Sequence, residues 1–431
     1  MSDRKPSSGE EIYSLIQRLW PICRSITGPG VRETLNIIKQ KIPELLIHEV
    51  PTGTACFDWV VPKEWSVRDA YILTPEGKKI ADFQINNLHL VSYSIPIEME
   101  VDLATLESHL HSLPDQPDAI PYVTSYYKPD WGFCLPHNVR ARLKPGRYHV
   151  KIDSTLSDGY LTYGSVTLPG RERQEIFLST YICHPSLANN ELSGPCVTAQ
   201  IAEWLQTIDR RYTYRIIFIP ETIGAILYLS RHLEDLKKNV IAGYVITCVG
   251  DDRTWSFMPS RKGNTLSDAV ARHVLQHIAP DFKEYSFLER GSDERQYCSP
   301  GVDLPVASIM RSKYATYPEY HTSFDNLDFV SPQGLEKSFI AYTRAIETIE
   351  SNCTPHTRVL GEPMMSKRGL RATTGKFGSA SSTVSMMNLL AYSDGRNSMI
   401  DIANIIGIPA WELSLIARKL QAENLLAMEG I

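Results

Sequence analysis

The chain has 431 residues, which is long for a single domain and predicts two or three. Hydrophobic residues make up 43% of it and charged residues 22%, as in ordinary soluble globular proteins. The formal net charge of -5 argues against a nucleic-acid-binding surface over the whole chain, and no run of about 18 apolar residues predicts a transmembrane helix. No apolar signal segment opens the chain and its eight cysteines form no CxxC pair, so we expect a reduced, cytoplasmic protein with no membrane partner.

Two helices and a strand are predicted at the start of the chain. Apolar residues recur at helical spacing over residues 10–20 and 31–42, and a short apolar run follows at 45–50. From about residue 57 short apolar runs alternate with turn sequences such as PEGK and KPG. We interpret residues 57–151 as an inserted β-rich domain.

Strands and helices alternate between about residues 159 and 351, which is typical of a doubly wound sheet. The predicted strands are 160–166, 175–182, 214–219, 240–249 and 306–310. The predicted helices are 193–207, 223–237, 265–277 and 332–349. The expected architecture is an α/β domain with a mostly parallel sheet, formed by residues 1–56 and 152–362.

The last part of the chain, residues 363–431, is predicted to be a winged helix. A helix at 399–405, a glycine-containing turn, a helix at 410–422 and a short strand-like run follow one another. The second helix and its end carry charges of both signs, at Glu412, Arg418, Lys419 and Glu423. Such a mixed face argues against nucleic-acid binding and favours an interaction or dimerisation role, which leaves a homo-oligomer open.

Three side chains with metal or acid–base chemistry follow predicted strands. His184 comes directly after the strand 175–182, Glu221 lies at the next strand-to-helix junction, and His321 lies beyond the last strand. Ligand sites of open α/β sheets form outside the carboxyl ends of the strands. Two imidazoles that hold zinc, with a carboxylate that takes a proton from water, would suit a metal-assisted hydrolase. The alternative is that both histidines are polar residues with ordinary hydrogen-bond partners. Glu221 would then lie at a helix N-terminus because the helix dipole stabilises its negative charge.

Several motifs carry a family resemblance over nearly the whole chain: CHPSLANNELSG, PETIG, CVGDD, SDERQYCSPG and YPEYHTSFDNLD. Together they resemble the zinc aminopeptidase superfamily, the M28 peptidases. They are most similar to a bacterial group of aminopeptidase-like proteins with an inserted β domain and a C-terminal winged helix. The resemblance implies an aminopeptidase-like α/β fold, His184 and His321 as zinc ligands, and Glu221 as the general base.

The chain departs from the superfamily at three expected carboxylates. Asn190 stands at the position of the bridging aspartate, Thr222 at that of a zinc-binding glutamate, and Thr247 at a strand-end carboxylate. A pair of cations needs such carboxylates, so we expect one zinc ion or none, held by His184, His321 and the Asn190 amide. The neighbouring Glu191 is expected to point away from this site.

Further residues could contact a substrate. Arginines could bind a carboxylate or phosphate, acidic residues could receive an amine, and aromatic residues could wall a pocket; surface charge or core packing is the alternative for each. These candidates are Arg261, Arg295, Asp293, Glu294, Tyr320 and Trp131. We interpret Asp251 and Asp252 as solvated loop carboxylates.

The leading interpretation is a metal-dependent, aminopeptidase-like hydrolase with a small amide or aminoacyl substrate. Because three carboxylates are missing, a binding protein on a degraded peptidase fold remains open. So does an acyl-transfer enzyme of secondary-metabolite or surface-glycan biosynthesis.

Overall fold

An eight-stranded mixed sheet forms the centre of the protein. The computed structural model describes residues 7–370 and 380–428. Its helices are α1 Ser8–Leu19, α2 Pro29–Lys41, α3 Leu103–Glu107, α4 His137–Arg140, α5 Ser193–Leu205, α6 Ile223–Asn239, α7 Leu266–Ile278, α8 Glu294–Tyr297, α9 Pro332–Ser351, α10 Ala380–Tyr392, α11 Met399–Ile406 and α12 Ala410–Ala422. Its strands are β1 Leu46–Pro51, β2 Ala55–Cys56, β3 Trp59–Val60, β4 Glu64–Leu73, β5 Lys79–Ile80, β6 Ile97–Asp102, β7 Leu110–His111, β8 Phe133–Cys134, β9 Arg147–Ser157, β10 Tyr160–Leu168, β11 Glu175–Tyr181, β12 Thr213–Ile219, β13 Val240–Val245, β14 Ser256–Met258, β15 Lys283–Glu284, β16 Val306–Met310, β17 Pro355–Thr357 and β18 Leu426–Met428.

The strand order of the central sheet is β1-β10-β12-β11-β13-β16-β14-β15. The four central strands β12, β11, β13 and β16 run parallel to one another. Strand β10 pairs antiparallel with β12 on one side, and β14 pairs antiparallel with β16 on the other. Every residue of β11 is buried, as expected for a parallel strand covered on both faces. The predicted α/β fold with a large central sheet is confirmed, and the antiparallel outer strands make it a mixed sheet.

The helices cover both faces of the sheet. Residues of α1, α2, α5, α7 and α9 pack into one core, and residues of α6 pack into a second core that the inserted domain completes. That domain contains a four-stranded antiparallel sheet in the order β5-β4-β9-β6. Only a two-residue turn separates β9 from β10 of the central sheet, so the inserted domain is attached directly to the sheet that carries the site.

The predicted strands and helices of the α/β domain end within two residues of the expected bounds, with one exception. The strand predicted over 240–249 ends as β13 at Val245. Beyond it, Ile246 donates its N–H to the Ser179 carbonyl at 2.8 Å, and Cys248 has a φ of 52°, in the left-handed region. The chain therefore leaves the regular strand conformation near the end of β11. Residues 246–249 are nevertheless apolar enough to be predicted as strand.

Helices α10, α11 and α12 form a C-terminal unit with the antiparallel pair β17–β18. This pair joins residues from both sides of the boundary predicted at residue 363. His273 of α7 lies against this unit, because its Nε2 accepts the Ala410 N–H at 2.8 Å and its Nδ1 lies 2.6 Å from the Asn404 amide oxygen. No single described helix is long and apolar enough to cross a membrane; α11 and α12, bent by 109°, reach that length and composition only as a pair.

Candidate metal and catalytic site

The chemistry-bearing side chains gather where the central parallel strands end. His184 follows β11 by three residues, and Glu221 follows β12 by two. His321 lies in the loop after β16, with its ring centre 5.3 Å from that of His184. The structure thus brings the two histidines together, as the sequence predicted, at the carboxyl edge of the sheet.

The loop after His184 contains one turn of π-helix, Ala188–Leu192, which runs directly into α5. The buried Asp325 carboxylate caps this turn, because it accepts the N–H groups of Ala188, Asn189 and Asn190 at 3.2, 2.6 and 2.9 Å. Burial raises the pKa of Asp325 to about 6, and these N–H donors limit the rise. A π turn inside a helix is rare and is found most often at functional sites.

Glu191 lies beneath His184 and not away from it, so the prediction for its side chain was wrong. The extra residue of the π turn directs the Glu191 carboxylate to 2.9 Å from His184 Nδ1. Burial raises the pKa of Glu191, and the buried Arg24 guanidinium, 3.7 Å from the carboxylate, opposes that rise. Because a guanidinium stays charged, Arg24 needs a buried counter-charge, which makes Glu191 the acceptor of the Nδ1 proton.

The imidazole of His184 is thereby fixed with its Nε2 directed toward Glu221. Nε2 lies 3.7 Å from the nearer Glu221 oxygen. Burial, assisted by the Arg24 charge, lowers the pKa of His184 to about 3, so the ring is neutral at ordinary pH. A neutral imidazole that donates its other N–H to a carboxylate is the usual form of a metal-binding histidine.

His321 is held in an unusual backbone conformation. Its φ is 56°, in the left-handed region, and its ring stacks on Tyr320 with 3.9 Å between centres. Tyr122 donates its N–H to the His321 carbonyl at 2.8 Å and stands 5.1 Å, centre to centre, from each histidine ring. The Nε2 atom of His321 is buried and has no hydrogen-bond partner. Burial and the neighbouring His184 lower the pKa of His321 to about 3.

These features fit one bound metal ion between the histidines and Glu221. Two imidazoles that share a tetrahedral zinc ion, with Zn–N distances of about 2.1 Å, have ring centres roughly 5 Å apart. The observed spacing of 5.3 Å and the unpartnered Nε2 of His321 meet that requirement.

A second cluster among the described residues, Cys183, His184 and Glu191, also has ligand atoms within 4.8 Å of one another. It lies on the Nδ1 side of His184, where the charged Arg24 guanidinium would face the ion. Electrostatic repulsion makes that position unfavourable for a cation.

The positions of the three missing carboxylates are occupied by neutral groups. The Tyr181 hydroxyl lies 3.1 Å from the Asn190 amide oxygen and 2.5 Å from the Thr247 hydroxyl. Thr247 in turn donates to the Asn190 carbonyl at 2.9 Å, and Arg295 donates to the Thr222 hydroxyl at 2.6 Å. Since Tyr181 occupies the Asn190 amide oxygen, the predicted role of Asn190 as a metal ligand gains no support.

Glu221 is one of the residues that line a pocket, and 20% of its side chain is exposed. Burial raises its pKa well above the usual value, as do the negative charges of Asp293 and Glu294, while Arg295 opposes the rise. The following residue, Thr222, has a φ of 63° and donates its N–H to Asp293 at 2.8 Å. Burial also raises the pKa of Asp293 to about 7. A buried carboxylate with a raised pKa beside a pocket is a candidate general base.

The predicted substrate contacts divide into two groups. Asp293, Arg295 and Tyr320 lie around Glu221 and His321, whereas one oxygen of Glu294 is engaged by the N–H groups of Gly291 and Ser292 and by the Tyr314 hydroxyl. Arg261 instead binds the Cys298 carbonyl and Asp303, and Trp131 stacks on His109 with 3.7 Å between ring centres. Because Arg261 and Trp131 bind these neighbours, nothing supports their predicted role as substrate contacts.

Asp251 also differs from its prediction. It is buried, and its carboxylate accepts both the N–H and the hydroxyl of Ser312 at 2.9 Å and the Asn189 amide at 3.1 Å. It therefore braces the loops behind the site and is not a solvated loop carboxylate. Asp252 is the more exposed of the pair and binds Ser331.

The pocket above Glu221 has a volume of about 170 Å³. It lies between the sheet edge and the inserted domain, and its walls are mainly aromatic and aliphatic. The lining residues are Ile26, Trp59, Tyr126, Tyr127, Cys183, Glu221, Thr222 and Ile223. Trp59 belongs to a short apolar run that the sequence shows in the β-rich segment, but its place in the pocket was not predicted. Glu191 and Arg24 could be recognised only once the π turn was known.

Comparisons with known proteins agree with this architecture. A Clostridium acetobutylicum protein, named provisionally as a polysaccharide biosynthesis protein with an aminopeptidase-like domain, is 44% identical over 423 residues, or 98% of this chain and 97% of the relative. A crystal structure from C. acetobutylicum, described provisionally as a peptidase, has a TM-score of 0.92 at 43% identity, with 98% of this chain and 96% of that chain covered.

More distant structures share the fold. BSAP, a zinc aminopeptidase from Bacillus subtilis, has a TM-score of 0.59 at 12% identity, covering 80% of this chain and 96% of its own. A peptidase M28 precursor from Shewanella amazonensis has a TM-score of 0.57 at 11% identity, covering 82% and 95%. The expected resemblance to the zinc aminopeptidases is thus confirmed at the level of fold.

Two family descriptions match consecutive parts of the chain. Residues 13–352 match a family described as a domain of unknown function, DUF4910, and residues 353–428 match a winged helix-turn-helix family. The chain therefore belongs to the DUF4910 family. In this chain the domain with the zinc aminopeptidase fold is followed by a winged helix.

Proposed function

We propose that this protein is a metal-dependent amide hydrolase that uses a single zinc ion and Glu221 as its general base. The observation that carries the proposal is the placement of the Glu221 carboxylate, 3.7 Å from His184 Nε2 and in the lining of a pocket. The substrate would be a small amide whose carbonyl enters this pocket.

His184 and His321 would hold the ion beside Glu221, which stays free to accept a proton. When bound, zinc polarises a carbonyl group and makes a water molecule acidic enough to react near neutral pH. Glu191 keeps the proton of His184 on Nδ1, so that Nε2 carries a free electron pair toward the site. Arg24 favours the ionised form of Glu191 and also donates to the His184 carbonyl at 3.1 Å, which fixes the ring and its backbone together.

Glu221 would accept the proton of the attacking water and pass it to the leaving nitrogen. The raised pKa favours this role, because a more basic carboxylate is a better proton acceptor. Its pocket is lined mainly by apolar side chains, which limits competition from bulk water. Positioned acid–base groups of this kind usually contribute about 10²–10⁴-fold to a rate.

A second metal ion is not part of the proposal. Asn190, Thr222 and Thr247 bring no charge to the site and are bonded to Tyr181 and Arg295. Two cations about 3.5–4 Å apart would lack the carboxylates that normally bridge and terminate such a pair.

The test combines metal analysis with hydrolysis. We expect the purified full chain, reconstituted with zinc and desalted, to retain one zinc per chain and to release amine from small N-acyl or aminoacyl amides. Glu221→Gln should lower kcat by at least about 10²-fold, whereas Glu234→Gln, an exposed change on α6, should leave it unchanged. Retention of no zinc, or equal turnover by wild type and Glu221→Gln, would overturn the proposal.

A binding protein without turnover is the second candidate. The observation that favours it is the arginine beside Glu221: Arg295 donates to Thr222 and its charge acts on Glu221. In a metal-free site the charges of Arg295 and Glu221 would bind a ligand without activating water. Ligand binding without metal and without product formation would favour this candidate over the hydrolase.

A further inference from the structure

The pocket above Glu221 has an aromatic wall that comes from the inserted domain. Trp59, Tyr126 and Tyr127 line it, opposite Glu221 and Thr222. The rings of Trp59 and Tyr127 meet edge to face, with 5.7 Å between centres and 69° between planes. Trp59 is 38% exposed and Tyr127 49% exposed, so both lining rings keep part of their surface in contact with solvent.

The hairpin that carries Trp59 is not built for packing. Its strands β2 and β3 contain two residues each, and Phe57 in its turn has a φ of 52°. Phe57 and Val60 are also exposed. Apolar side chains clustered at the mouth of a pocket usually mark a binding surface, because exposing them to water is unfavourable.

The polar groups of the pocket are few and neutral except for Glu221. Tyr126 bears a hydroxyl that lies 2.9 Å from the Tyr122 hydroxyl, and Thr222 bears another. None of the eight lining residues is a lysine or arginine. Glu221 is the charged residue of the lining and would repel a phosphate group, and an ordinary aromatic side chain would leave its carboxylate without a hydrogen-bond donor. The lining suits a neutral ring whose two faces are apolar and whose edge carries hydroxyl groups.

We propose that this pocket binds the pyranose ring of an N-acylated amino sugar, with the ring against Trp59 and Tyr127 and the amide over Glu221. A pyranose has apolar C–H faces for the aromatic rings and hydroxyls for the polar groups, and its N-acyl group supplies the amide. The assignment rests on the proposed hydrolase function and gives it a substrate class. It agrees with the name of the 44% identical relative, which refers to polysaccharide biosynthesis.

The reaction would be a simple hydrolysis. The water oxygen bonds to the acyl carbon and the C–N bond breaks, its electron pair staying with nitrogen. Glu221 takes a proton from the water and delivers it to that nitrogen. The products are a carboxylate and a free amino sugar, so a reaction that forms or extends N-acylated glycans would supply the substrate.

The experiment measures sugar binding in the full-length Glu221→Gln variant by saturation-transfer NMR and titration. The probes are N-acetyl-D-glucosamine, its galacto and manno epimers, and N-acetyl-L-phenylalanine amide. We expect at least one of the three sugars to bind more tightly than the phenylalanine amide. Adding Trp59→Ala or Tyr127→Ala should weaken that binding about tenfold, as expected when one stacking partner is lost. Tyr71→Ala is the matched control, since that ring lies in the inserted sheet against Lys79.

Tighter binding of the phenylalanine amide, absence of sugar binding, or no effect of Trp59→Ala would overturn the sugar assignment. The outcomes also separate the two proposals. Sugar binding that depends on Trp59, without amine release by the zinc-loaded wild type, would refute hydrolysis and leave the pocket assignment standing. Hydrolysis of simple amides without sugar binding would do the reverse.

Discussion

The Glu191 carboxylate lies 2.9 Å from Nδ1 of His184, seven residues earlier in the chain, and both side chains are buried. This contact fixes which nitrogen of His184 is free for a metal. We expect Glu191→Gln to weaken zinc binding by about 10–100-fold, the usual loss when such an outer carboxylate is removed. Competition with a chelating dye would measure it.

Glu203→Gln on α5 is the control for that change, because its carboxylate pairs with Lys41 near the surface. Equal zinc affinities of Glu191→Gln and wild type would contradict a metal on the Nε2 side of His184. The Cys183–Glu191 side of the ring would then have to be reconsidered.

Metal stoichiometry should respond to restored carboxylates. Asn190→Asp combined with Thr222→Glu adds two negative charges beside the histidines, where neutral groups now bond to Tyr181 and Arg295. We expect bound zinc, measured by mass spectrometry of desalted protein, to rise from one per chain toward two. Asn189→Asp is the control, because the Asn189 amide binds Asp251 and Gly250 behind the site. An unchanged stoichiometry in the double variant would show that charge alone does not exclude a second ion.

The contribution of Asp325 to the free energy of unfolding should fall as pH rises between about 4 and 6, whereas His184 and His321, whose pKa values are lowered to about 3, act in the opposite direction. Burial raises the folded pKa of Asp325 to about 6, above the unfolded value of about 3.9. In that window the folded state binds the proton more tightly, so the favourable contribution is complete below pH 4 and is lost by pH 6. The change is on the order of 3 kcal/mol. Denaturant unfolding of wild type and Asp325→Asn across this range checks it: the variant should lack this component of the slope.

The attachment of the winged helix should depend on His273. Its neutral ring donates from Nδ1 to the exposed Asn404 and accepts the N–H of the buried Ala410 at Nε2, so His273→Ala leaves one buried N–H unpaired and removes a second hydrogen bond. We expect a loss of roughly 1–3 kcal/mol, the usual cost of an unpaired buried group. Faster hydrogen exchange in α11 and α12 should accompany it. His277→Ala removes a neighbouring, partly exposed ring and should have little effect. Identical exchange in the two variants would contradict the role of His273.

The sequence predicted well the strands and helices that position the site. Fully apolar strands and amphipathic helices have distinct periods, so the elements of the α/β domain could be located within a few residues. His184 and Glu221 follow two of those strands directly, and topology alone brings strand ends together. His321 was identified by its motif, because no periodicity places a loop residue.

Other features depend on contacts that periodicity does not encode. One additional residue in the π turn directs Glu191 to His184, and a helical pattern cannot show it. Trp59 begins one of the short apolar runs that the sequence shows in the β-rich segment, but nothing in that run indicates that its side chain lines the pocket. Arg261 and Trp131 were assigned to the site by residue type, yet each found a partner nearby: Asp303 for the guanidinium and His109 for the indole.

Asp325 joins the first and last parts of the site, since its carboxylate caps the turn after His184 while its own backbone follows His321 by four residues. During synthesis on the ribosome, the loop that carries His184 therefore emerges without its cap. More than 130 further residues must be synthesised before this loop can be capped, because Asp325 lies 135–137 positions after the three residues whose N–H groups it accepts. A nascent chain that lacks Asp325 has no completed site, so metal capture would be one of the last events in folding.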